Sequence, residues 1–97
     1  MKEKNQMINH LDQTVNEIRE FLAKKMQSYR NSYFETRKEY GSLVFLIRLI
    51  DKVNRLKALI DEDMQEFFKE SYEDTIKDII GYCLLELIFE KIQKKEG

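Results

Sequence analysis

Glu70, Asp74 and Asp78 stand at i, i+4 and i+8 in the run Glu70-Ser71-Tyr72-Glu73-Asp74-Thr75-Ile76-Lys77-Asp78. On one helix they form a single carboxylate stripe in which neighbours repel. Directly beyond it the chain turns apolar, at Ile79, Ile80, Cys83, Leu84, Leu85, Leu87, Ile88 and Phe89. Carboxylates that lead into such a segment are drawn away from water, where they need a cationic partner or a metal ion. Mg²⁺ is a hard cation that prefers oxygen ligands, and three carboxylates suit it. A plainer reading makes Ser71 an N-cap, with Asp74 at N3 closing an acidic capping box. Glu70 and Glu73 then simply favour the positive end of the helix dipole.

A second polar stripe lies upstream. Arg48, Asp51, Lys52 and Arg55 recur at i, i+3, i+4 and i+7, opposite an apolar face of Leu46, Leu49, Ile50, Val53, Leu56 and Ile60 that is expected to line the core. Alone, the stripe is a solvated helix face with local ion pairs worth about 0.2–0.5 kcal/mol each. Set against the acidic stripe, its cations can neutralise the carboxylates directly, as interhelical salt bridges. They can equally hold an anionic ligand between them.

These stripes need helices to carry them, and the composition supplies little else. The 97 residues contain no proline and three glycines, Gly41, Gly81 and Gly97. An all-α fold follows: one helical domain over 1–97, a small bundle of three main helices and a short helical connection. Ile8, Leu11, Val15, Ile18 and Leu22 recur at spacings of three and four and predict a helix over about 5–28. The aromatic stretch 29–41 lacks a clean period and reads as an irregular or short helical connection ending at Gly41. A helix over 42–60 follows, then a connection over 61–69, with Phe67 and Phe68 pinning it to the core. The last helix is expected from about Ser71 to Lys94. Its wide apolar arc, Ile79 to Phe89, suggests a homo-oligomer, most simply a dimer.

Charge excludes some partners. Seventeen basic and eighteen acidic residues nearly cancel, so no general electrostatic grip on nucleic acid is expected. The longest apolar run, Leu43 to Ile47, is too short to cross a membrane, and the opening residues lack a signal-peptide pattern. A soluble, cytoplasmic protein is expected. The one cysteine, Cys83, has no internal partner for a disulfide, and its apolar helical setting reads as packing.

The two stripes together resemble a family found in many phages, the nucleotide modification associated domain. Its pattern is Arg-x-x-Asp-Lys-x-x-Arg-Leu, a variable connection, then Glu-Ser-x-x-Asp-Thr-x-x-Asp-x-x-x-Tyr. The first half is matched by Arg48, Asp51, Lys52, Arg55 and Leu56, the second by Glu70, Ser71, Asp74, Thr75, Asp78 and Tyr82. Upstream, Lys25-Met26-Gln27-Ser28-Tyr29-Arg30-Asn31-Ser32 is similar to the family's Lys-Asn-x-Asp-Tyr-Gly-Asn-Ser. Met26, Ser28 and Arg30 depart there from Asn, Asp and Gly, and Gly81 replaces an Asn. The resemblance spans about residues 8–92.

That family in turn looks related to the all-α, MazG-like nucleoside triphosphate pyrophosphohydrolases, which split a nucleoside triphosphate into monophosphate and pyrophosphate. The resemblance implies Mg²⁺ (or Mn²⁺) on Asp51, Glu70, Asp74 and Asp78, with Glu70 and Asp74 catalytic. It implies phosphate-holding roles for Arg48, Lys52 and Arg55, and places Tyr29 and Tyr82 beside the base or a carboxylate. The loss of an aspartate at Ser28 raises an alternative, a small phage protein that sequesters a nucleotide or inhibits a host factor by binding alone.

Overall fold

The computed structural model describes residues 2–29, 32–61 and 66–96, with side chains at all of these except 28, 29, 66–70 and 96. Among the described residues every one is helical apart from Gly41 and Ser42. Four helices follow in order: α1 (Lys2–Tyr29), α2 (Ser32–Tyr40), α3 (Leu43–Asp61) and α4 (Glu66–Glu96). The chain divides into two compact units, Met1–Arg30 and Asn31–Gly97.

The first unit is the long amphipathic helix expected from the 3–4 repeat. Its Lys25 ammonium lies 4.5 Å from the Phe21 ring centroid, one turn back, a cation–π contact within the helix. Ile8, Leu11 and Val15 stand open on its surface.

The second unit holds both polar stripes. α2 is the short helical piece in the aromatic stretch, and Gly41 ends it with φ of 84°. The Gly41 N–H returns to the Arg37 carbonyl at 2.9 Å, the single bond of an αL cap, and the Val44 N–H then bonds the Gly41 carbonyl at 3.1 Å. A side chain at 41 would meet nothing within 4 Å, so glycine is required there by backbone conformation alone. α3 then runs antiparallel to α4: Arg55 meets Thr75, and Lys52, one turn earlier, meets Asp78 further on.

Two expectations change. α4 starts at Glu66, so Ser71 lies inside the helix and caps nothing. Glu66-Phe67-Phe68-Lys69 contains no helix breaker, and the helix simply continues back through it; the side chains of Phe67 and Phe68, expected to pin a connection, lie outside the described ones. The second change concerns α3. Leu46, Ile50, Val53 and Ile60, expected in the core, are 42–62% exposed, while Val44 is buried and Leu49 and Leu56 half-buried. Lys52 and Arg55 of the polar stripe face α4 instead, because they find polar partners there and their long stems cover apolar surface. Along the α4 arc Phe89 is buried, Leu87 is 56% exposed, and the other apolar residues, Cys83 included, are half-buried.

Candidate functional site

The α3–α4 face brings two members of the opposing stripes into contact. Lys52 Nζ sits 3.1 Å from Asp78 Oδ2, with the side chains 27% and 18% exposed. One turn along, Arg55 Nε donates to Thr75 Oγ1 at 3.2 Å, and that hydroxyl donates to the Ser71 carbonyl at 2.7 Å. Thr75 is 1% exposed, so its bond back to the helix satisfies the hydroxyl hydrogen while the guanidinium takes its lone pair. Asp74, beside it, is exposed on the same helix. The Glu70 side chain lies outside the described ones, although its backbone extends the stripe by one turn.

Arg48 and Asp51 occupy another edge of α3. They border a groove of about 410 Å³ whose other walls come from Thr36 and Tyr40 on α2 and from Leu43, Val44 and Ile47. Among the described residues no group of three or more His, Cys, Asp or Glu side chains is placed to hold a metal ion. Asp51, Asp74 and Asp78 thus form no three-carboxylate cluster by themselves.

A second polar cluster joins α2 to α4. Arg37 binds Glu86 in a two-point fork, Nε to Oε1 at 2.9 Å and Nη2 to Oε2 at 2.9 Å. Tyr33 donates its hydroxyl hydrogen to Glu86 Oε1 at 2.8 Å. Aromatic rings enclose the pair. The Arg37 guanidinium lies 4.6 Å over Phe89, Phe34 stacks on Phe89 at 6.3 Å, and Tyr33 contacts Tyr82 at 6.1 Å. The Arg37 hydrogen bonds hold the Glu86 carboxyl below its usual range, against the opposing pull of burial, and the Tyr33 bond adds to them. Burial, followed by the bond to Glu86, pushes the Tyr33 hydroxyl well above its usual range.

Lys52 and Asp78 therefore meet as the complementary stripes require, whereas Arg55 takes a hydroxyl rather than a carboxylate. Tyr82 packs its ring against Tyr33. The Tyr29 side chain lies outside the described ones. Sequence reasoning missed Tyr33, Arg37 and Glu86. The signal was there in Leu84-Leu85-Glu86-Leu87-Ile88, a lone acid inside an apolar run and one turn beyond Tyr82, for which a buried cation is the ordinary remedy.

The family model for nucleotide modification associated domain 1 matches residues 25–89, from the last turn of α1 through most of α4. The chain belongs to that family. The match holds both stripes and the Tyr33–Arg37–Glu86 cluster. Searches of characterised proteins and of solved structures return no match. Among the described residues no helix is long and apolar enough to cross a membrane.

Proposed function

We propose that the chain binds a nucleotide through its phosphates on the α3–α4 face, with Mg²⁺ or Mn²⁺, and acts as a MazG-like nucleoside triphosphate pyrophosphohydrolase. The observation that carries this reading is the Lys52–Asp78 pair, a cation and a carboxylate held in contact yet partly open to solvent. An anionic ligand bearing a metal offers each partner a stronger mate: phosphate for Lys52, the cation for Asp78.

Carboxylate oxygens are the ligand type that supports a Mg²⁺ reading. Mg²⁺ commonly takes one or two protein carboxylates and fills its remaining positions with water and phosphate oxygens. Asp78 and Asp74 are one turn apart on α4, with Glu70 a turn earlier, while Asp51 lies on another edge of α3. Bound there, the metal would neutralise phosphate charge and lower the pKa of a coordinated water. Arg48, Lys52 and Arg55 hold phosphate oxygens, the arginines in two-point fashion. Glu70 and Asp74 orient the attacking water and accept its proton. Tyr82 sets one wall.

A second reading, binding without turnover, is favoured by Ser28, which stands where the family carries an aspartate. In that reading the protein sequesters a nucleotide, or acts on a host factor in a phage setting. One experiment separates the readings: incubation with a panel of nucleoside triphosphates and Mg²⁺, scored by thermal shift and by chromatography of products. Monophosphate and pyrophosphate select the enzyme, a shift without products selects the binder, and silence in both assays contradicts nucleotide binding altogether.

A further inference from the structure

The groove between α2 and α3 has the build of a small-molecule site. Its volume of about 410 Å³ lies in the range of ligand pockets, about 300–1,000 Å³. It is lined by buried Val44, by the open side chains of Tyr40 and Ile47, and by three polar residues, Thr36, Arg48 and Asp51. Thr36 Oγ1 donates its hydrogen to the Ser32 carbonyl at 2.9 Å, so toward the groove that hydroxyl offers lone pairs only. An ionised Asp51 carboxylate is likewise an acceptor on both oxygens. Among the described residues neither Arg48 nor Asp51 has a hydrogen-bond or ion-pair partner. The lining therefore sets unfilled acceptors beside an aromatic ring and two aliphatic side chains. It calls for a flat guest with N–H donors along one edge.

Resting on the nucleotide reading above, we propose that this groove receives the base and that the base is guanine, read by Asp51. Guanine presents two N–H groups side by side, at N1 and N2, which match the two oxygens of one carboxylate. Adenine and cytosine present one amino group beside a ring-nitrogen acceptor, and uracil one imino group between two carbonyls. Each of those sets a lone pair against the second carboxylate oxygen. The Tyr40 ring offers a face for stacking, which every base accepts. Position along α3 joins the groove to the phosphates. Arg48 precedes Lys52, and Asp51 precedes Arg55, by four residues, a little over one turn of about 5.4 Å. A base at Asp51 thus leaves its phosphates one turn further on, at Lys52 and Arg55. Arg48 lies only roughly 40° around the helix from Lys52, so it reaches the phosphates from the groove side.

Calorimetric titration with the α,β-methylene triphosphates of guanosine, adenosine, cytidine and uridine, each with Mg²⁺, tests this without turnover. The proteins are the full chain, Asp51→Asn and Tyr40→Ala, each first shown to melt cooperatively; Asp51 and Tyr40 are exposed, so neither change opens the core. The full chain should bind the guanosine analogue at least about tenfold more tightly than the other three. In Asp51→Asn that preference should shrink to within about threefold, with the adenosine analogue bound as before, because one of two matched acceptors becomes a donor. Tyr40→Ala should weaken the guanosine analogue at least about fivefold. Equal binding of all four analogues by the full chain would overturn the guanine assignment and leave nucleotide binding standing. Equal weakening of all four in Asp51→Asn would make Asp51 a metal or phosphate-site residue and overturn it as well. A preference that survives Asp51→Asn, or guanosine-analogue binding untouched in Tyr40→Ala, would move the base out of the groove. No heat with any analogue would overturn this inference and the nucleotide reading together.

Discussion

Among the described residues, two ion pairs that tie α4 to its neighbours are built differently. Arg37–Glu86 is a two-point fork with a tyrosine hydroxyl on the same carboxylate, roofed by Phe89, its side chains 15% and 12% exposed. Lys52–Asp78 is a point charge on one oxygen, with the side chains 27% and 18% exposed. The first has fixed geometry and dry surroundings, so removing one partner strands a charge. The second retains access to water and a flexible stem, so its partners can be exchanged for a ligand's. On the proposed function, the first cluster holds the fold and the second receives the ligand.

The largest expected effect tests that division directly. Arg37→Met leaves Glu86 in aromatic surroundings without its cation, a loss of about 3 kcal/mol, or a melting point lower by roughly 10–20 °C for a domain of this size. Lys52→Met should cost no more than about 1 kcal/mol. Thermal denaturation of the two variants side by side gives the ratio, and equal losses would break the comparison.

Tyr33→Phe should cost about 1 kcal/mol through the lost hydrogen bond, and it sharpens the comparison through pH. The folded chain holds the Tyr33 proton to higher pH than the unfolded chain does. Stability is therefore fully present below about pH 10 and declines above it; Tyr33→Phe should flatten that decline. For Glu86 the sign reverses. Its carboxyl is held low in the folded state, so its contribution is present above about pH 4 and is lost as acid protonates it. Arg37→Met should flatten this acid limb. Urea melts across pH 2–11 measure both limbs.

The smallest effect concerns the open stripe. Asp74 has a like charge one turn away at Asp78, so Asp74→Asn should gain about 0.2–0.5 kcal/mol in ligand-free protein. A lower melting point would show that Asp74 has a cation of its own and belongs with the structural pairs.

The helical elements were legible because proline is missing, Gly41 punctuates the chain, and the 3–4 repeats are long. One pair, Lys52 with Asp78, was legible from charge spacing, whereas Arg55 turns to Thr75 and Arg48 and Asp51 lie on another edge. Helix starts were less so, since nothing in Glu66-Phe67-Phe68-Lys69 marks whether the helix has begun. The orientation of α3 was misread for a physical reason. Periodicity shows that a helix has an apolar side, but not whether that side meets its own chain. Glu86 was passed over because apolar neighbours drew it into the packing surface, where its charge was the informative feature.

On the proposed function, the ligand binds at the Lys52–Asp78 pair. Calorimetric titration of Mg²⁺ with a nucleoside triphosphate into the unmodified protein and Asp78→Asn, each first shown to melt cooperatively, tests it most directly. Binding is expected to the unmodified chain, with at least about tenfold weaker binding to Asp78→Asn, the equivalent of about 1.4 kcal/mol. Equal affinity in the two proteins, or no heat in either across purine and pyrimidine nucleotides, would contradict it.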